Sequence, residues 1–161
     1  MFDLINGVPL HPLVVHAIVV LLPLATLGTI AIAVRASWRV RYGPLVVAAA
    51  ALSTILMPVA TSSGEALERR VGDPGQHAQL GDQLIYVAIP LLVLSAALVW
   101  FAWRSERTGG PAVSRTLTNV VAALAVVAAL ASAAQVYRVG DSGARAAWGD
   151  VPAPRSEPAG K

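Results

Sequence analysis

Three histidines, His11, His16 and His77, are the residues of this 161-residue chain whose type and spacing admit chemistry. Imidazole is the commonest metal ligand among side chains and the usual proton-transfer group near neutral pH. His11 and His16 are five positions apart. In an ideal helix that turns them about 140° from one another and separates them by roughly 7 Å along the axis. This is not the i, i+4 spacing that lets two histidines share a metal from one helix face. His11 stands directly before Pro12, so it is expected at an N-cap, outside the helix proper. A two-ligand site from this segment alone is therefore disfavoured. A site made by His16 with a residue of another helix, or of the segment carrying His77, remains geometrically open.

The elements that must position these residues follow from composition. The chain is 56% hydrophobic and 13% charged, against about 25% charged and 45–50% apolar in a soluble domain. That excludes an ordinary soluble globular protein and, more firmly, a disordered one. Charge-free runs cover residues 4–34, 42–64, 83–103 and 116–137, and a helix needs roughly 20 apolar residues to cross a hydrocarbon core about 30 Å thick. Alternation of apolar and polar residues, which a small β-barrel would show, is missing. The expected fold is all-α, an integral membrane bundle of four transmembrane helices over residues 1–138, with a flexible, disordered C-terminal tail over 139–161. A cleaved signal peptide is the competing reading of the first run, but its leading flank should be basic. Here that flank carries Asp3, and Arg35, Arg39 and Arg41 follow the run.

Arginine also orients the bundle. The first loop holds Arg35, Arg39 and Arg41 and the third holds Arg104, Arg107 and Arg115, while the second has only Arg69 and Arg70 among four acidic residues. The excess of positive charge places the first and third loops in the cytoplasm and both termini outside. Trp38, Tyr42, Trp100 and Trp103 fall at the cytoplasmic face, Tyr86 and Tyr137 at the outer one, as in interfacial belts. Ala125, Ala129 and Ala133 recur every fourth residue of the fourth run, a small-residue face expected to pack within the molecule. The basic residues form no stripe, so a nucleic-acid partner is not expected. The absence of cysteine excludes thiolate metal sites, iron–sulfur clusters and covalent c-type haem.

With this topology His11, His16 and His77 all fall on the outer side, His77 in the loop between the second and third spans. Thr61, Ser62, Ser63, Glu65 and Gln135 reach the same region. Each histidine also has a plainer reading. His11 caps the helix or sits in the headgroup layer, His77 is solvated, and His16 is a neutral imidazole bonded to a neighbouring helix. His16 carries the most information, because an ionisable residue inside a span is costly.

The segment Gly7-Val8-Pro9-Leu10-His11-Pro12-Leu13-Val14-Val15-His16, followed by an apolar helix, resembles the opening signature of the domain-of-unknown-function 2231 family of bacterial membrane proteins. That signature is His-Pro, a short apolar spacer, then Val-His. The family's polar small-residue turn after the second span resembles Thr61-Ser62-Ser63-Gly64-Glu65. Its histidine-containing segment before the third resembles His77-Ala78-Gln79-Leu80-Gly81-Asp82. The resemblance extends from residue 7 to about 137 and implies a multi-pass protein of the bacterial inner (plasma) membrane. Some relatives are joined to redox or cytochrome-like domains, which implies a haem or metal role.

Two functions of different kinds follow. In the first, the protein binds b-type haem or a metal near its outer face through His11, His16 and His77, with His16 as one axial ligand and His77 or His11 as the other, and serves electron transfer with a redox or membrane protein as partner. Non-covalent haem needs two facing ligands and an apolar slot. In the second, it is a cofactor-free structural or partner-binding module in the lipid bilayer. A transporter ranks below both, because the spans lack Asp, Glu, Lys and Arg. No nucleophile elbow or phosphate loop points to an enzyme.

Overall fold

The computed structural model describes residues 4–5, 8–72, 75–111 and 113–149. Strands β1 (Leu4–Ile5) and β2 (Val8–Pro9) pair antiparallel. They lead into α1 (Leu10–Val34), α2 (Trp38–Val71), the short α3 (Gln76–Asp82), α4 (Leu84–Thr108) and α5 (Arg115–Trp148). Helices α1, α2, α4 and α5 are each long and apolar enough to cross a membrane. They form a four-helix square in which α2 and α5 both flank α1 and α4, which face each other across the diagonal.

Side-chain size sorts the inside from the outside. Ala25, Ala50, Ala88, Ala125 and Ala129 are fully buried, as are Ser53, Ser95 and Ser132. Leu24, Leu27, Leu45, Ile55, Val93, Val127 and Leu130 are exposed. A soluble bundle would reverse this arrangement. In lipid, leucine on the outside costs nothing, and close approach of small residues supplies the packing. The core falls into two apolar clusters. One, around Leu22, Met57 and Leu91, lies toward the end of the bundle that carries the histidines. The other, around Ile32, Val46 and Leu98, lies toward the end that carries most of the arginines.

Helix lengths explain the shape of the histidine end. At 1.5 Å per residue, α1 and α4 span about 37 Å each and α2 and α5 about 51 Å. The surplus projects at the histidine end. Gly64 of α2 lies beside His11 in the first turn of α1, and Gln135 of α5 donates to the Leu80 carbonyl just before α4 begins. The last turns of α2 and α5 therefore overhang their neighbours, and α3 lies against the overhang.

Several expectations are corrected. Helix α1 starts at Leu10 with Pro9 at its N-cap, so His11 is inside the first turn and not at the cap. Pro12 is accommodated there because the first backbone N–H groups of a helix have no partner to lose. His77 lies on helix α3 and not in a loop. Helix α2 begins at Trp38 and so contains Arg39 and Arg41. Arg39 is buried and donates from Nε to the Ile32 carbonyl at 2.9 Å and from Nη2 to the Ala33 carbonyl at 2.9 Å, closing the end of α1. Helix α5 continues through Trp148 past the expected start of the tail, over an alanine-rich stretch with an Arg145–Asp141 i, i+4 pair at 2.9 Å. The rest of the tail, 150–161, lies outside the described residues. The small-residue face of α5 does pack inside the molecule at Ala125 and Ala129, but Ser132 continues it where Ala133 is exposed.

Candidate functional site

A cavity of about 450 Å³ opens at the histidine end, within the range of ordinary cofactor and ligand sites. His11, Val15 and Ile18 of α1, Met57 and Leu67 of α2, and Leu84 and Val139 form much of its wall. Glu65, Glu68 and Asp82 bring carboxylates to it, and His77 enters from α3. The Thr61 hydroxyl donates to Asp82 Oδ1 at 2.9 Å, tying α2 to the end of α3.

The cavity contains two of the three histidines, and each is held in the same way. Nδ1 of His11 lies 2.9 Å from the Ala60 carbonyl oxygen of α2. A carbonyl only accepts, so Nδ1 carries the proton and Nε2 of the neutral ring keeps its lone pair. Nδ1 of His77 lies 3.2 Å from the Val139 carbonyl and 3.2 Å from Ser142 Oγ on α5. The Ser142 hydroxyl itself donates to Val139 at 2.9 Å, so the same tautomer follows for His77. Among the described residues no hydrogen bond reaches Nε2 of either ring.

Both rings also rest on glycine. A Cβ placed on Gly64 would lie 3.0 Å from His11 Cε1, and one on Gly143 would lie 2.9 Å from His77 Cε1. In each case Nε2 is the ring nitrogen farther from the glycine, at 3.8 and 3.6 Å. Each imidazole is thus pinned at Nδ1 and seated against bare backbone, the arrangement by which a second hydrogen bond fixes the tautomer and ring direction of a ligating histidine.

His16 stands apart. It is exposed on α1, is no part of the cavity wall, and bonds through Nδ1 to the Pro12 carbonyl of its own helix. With His11 inside the helix, the rotation of about 140° between the two positions directs one ring to the interior and the other outward. The structure brings together His11 and His77 and leaves His16 out. Among the described residues no three His, Cys, Asp or Glu side chains converge closely enough to hold a metal ion.

Gly143 and Ser142, which seat and bond His77, fall in the segment expected to be an unstructured tail, and no sequence signal singled them out. Gly64 lies within the quoted Thr61–Glu65 turn, but its role beside His11 appears only in three dimensions. Gln135, expected near this region, is buried and its Nε2 donates to the Leu80 carbonyl at 2.9 Å, fastening α3 to α5.

Comparison with curated proteins and with solved structures gives no match. The family model described as a predicted membrane protein (DUF2231) matches residues 7–151, which include both histidine seats and all four long helices. The opening His-Pro segment, the polar Thr61–Glu65 segment, which is helical within α2 and not a turn after it, and the histidine of α3 all fall within the matched region, and the chain belongs to the DUF2231 family of predicted membrane proteins.

Proposed function

We propose that the protein is a membrane electron-transfer component whose outer cavity holds b-type haem between His11 and His77. The observation that carries the reading is the matched pair of imidazoles. Both have Nδ1–H committed to backbone carbonyls, and both keep an Nε2 lone pair beside one largely apolar cavity. Two nitrogen ligands and apolar walls fit an iron that already has four ligands from its porphyrin. They fit a bare ion less well, because no third protein ligand converges with them. Bound haem would supply a one-electron couple. The chain's own part is to fix the two rings through the Ala60 and Val139 carbonyls and to keep water off the apolar side through Ile18, Met57 and Leu84. The carboxylates of Glu65, Glu68 and Asp82 stabilise added positive charge and so favour the oxidised state. The excess of arginine at the opposite end supports an outward-facing cavity in a bacterial plasma membrane, and a redox protein on that side would be the partner.

The test is a reduced-minus-oxidised absorption spectrum of the detergent-purified protein, expressed with haem precursor supplied. A sharp α-band is expected in the parent and in His16→Ala, and is lost in His11→Ala and His77→Ala. A flat parent spectrum, or a band that survives His77→Ala, overturns the reading. A flat parent spectrum favours a cofactor-free, partner-binding module.

A further inference from the structure

The middle of the bundle contains polar groups that the outer cavity does not use. Thr26 and Thr29 of α1 are 3% and 0% exposed, and neither Oγ1 has a hydrogen-bond partner. Their level in the bundle can be read from two close helix approaches. A Cβ on Gly28 would meet Val46 of α2, and a Cβ on Gly43 would meet Val99 of α4. Val46 is three positions beyond Gly43 toward the histidine end, and Ser95 is one turn beyond Val99 in the same direction. Ser95, fully buried on the helix diagonal to α1, therefore lies at the level of Gly28, between Thr26 and Thr29.

This level lies at the boundary between the two apolar clusters, the first of which ends at Ala25 and Ala50 and the second of which begins at Ile32 and Val46. On α1 the buried positions between Leu22 and Ile32 are Ala25, Thr26 and Thr29. On α2, Ala50 is the buried position between Val46 and Ser53, and on α4 Ser95 is the buried position between Leu91 and Leu98. Small side chains thus lie at the level of two unanswered hydroxyls, midway along helices long and apolar enough to span a hydrocarbon core. A hydroxyl without a partner is expensive there, and such groups in native proteins are usually answered by a bound water or ion.

We infer that this layer is an internal water site, in which one or more ordered waters bridge the Thr26 and Thr29 hydroxyls to the opposite wall at Ser95. Water suits the site because it both donates and accepts, and a hydroxyl layer without a carboxylate has no charge to hold a cation. Ser95 already donates to the Leu92 carbonyl at 3.0 Å, so it meets the water as an acceptor. The apolar cluster around Leu22, Met57 and Leu91 separates this layer from the outer cavity, so its occupancy is independent of the haem reading.

The experiment is water-edited solid-state NMR of the isotopically labelled protein in bilayers of deuterated lipid. Magnetisation from water is expected to reach Thr26, Thr29 and Ser95 while bypassing Leu22 and Leu98, and to disappear from Ser95 in Thr29→Val. Thermal midpoints of Thr26→Val, Thr29→Val and Thr29→Ser provide a second readout. Both valine variants are expected to melt below the parent, with Thr29→Ser closer to it. The absence of water transfer in the parent overturns the proposal. Valine variants that melt above the parent also overturn it, since the hydroxyls would then be empty-handed. A midpoint that follows sodium concentration at constant ionic strength overturns it in favour of a cation.

Discussion

Whether His11 and His16 act together is decided by a rotation. Because His11 lies within α1, its ring and that of His16 point about 140° apart, and only one can face the cavity. The ring that faces in is useful only if it is held, and glycine makes that possible. Replacing Gly143 by alanine places a carbon 2.9 Å from His77 Cε1, and the same change at Gly64 places one 3.0 Å from His11 Cε1. The ring must give way by a few tenths of an ångström in each case, which strains its carbonyl hydrogen bond. Overpacking costs about 1–3 kcal/mol and the added helix propensity of alanine returns about 1 kcal/mol, so Gly143→Ala, the tighter of the two seats, is expected to destabilise the protein by about 0–2 kcal/mol and Gly64→Ala by less. Gly81→Ala on α3 meets nothing within 4 Å and is the control. Thermal unfolding in detergent checks the three together. Equal midpoints for Gly81→Ala and Gly143→Ala would show that the seat beside His77 is unimportant.

Among the elements, the helices were legible in the sequence and their ends were not. Four charge-free runs are read directly as spans, because lipid admits few other ways to satisfy a backbone. Their ends depend on single contacts. Arg39 looked like a loop residue counted for topology, yet it lies in the first turn of α2 and closes the last turn of α1 through two backbone carbonyls. Replacing Arg39 by methionine leaves the Ile32 and Ala33 carbonyls without those donors. It is expected to cost about 1–3 kcal/mol, the usual penalty for unsatisfied buried groups. Arg41→Met, which loses only an exposed stacking contact 5.4 Å from the Tyr42 ring, is expected to cost about 0.5–1 kcal/mol. Chemical denaturation of the two variants measures the difference. Similar losses would remove the cap from the account. Helix α3 and the extension of α5 escaped the sequence reading for a related reason. Both are stabilised by cross-contacts, Gln135 to Leu80 and His77 to Val139, which no local pattern announces. Half of the candidate site was therefore visible as residue types, His11, His77, Thr61 and Glu65. The other half, Gly143, Ser142 and the Ala60 carbonyl, exists only once the helices have been brought together.

For the molecule as a whole, the question is which way the cavity faces. The alternation of α1, α2, α4 and α5 puts both histidine seats at one end, and the end of α1, the start of α2, the end of α4 and the start of α5 at the other. At that second end Arg35 lies 4.8 Å from the Trp38 ring and Arg104 lies 5.4 Å from the Trp100 ring. Cations stacked on aromatic faces at the end of a span suit a headgroup layer, and the arginine excess there is the expectation for a cytoplasmic side. The chain has no cysteine, so single introduced thiols report without background. Gln76 at the start of α3 and Ser37 between α1 and α2 are both exposed, and they lie at opposite ends. In whole cells an impermeant thiol reagent is expected to label Gln76→Cys and to spare Ser37→Cys until the membrane is permeabilised. The reverse result would turn the cavity toward the cytoplasm, where an intracellular electron donor would have to reach it. Labelling of both thiols in intact cells would mean that the four helices do not cross the bilayer as a single up-and-down bundle.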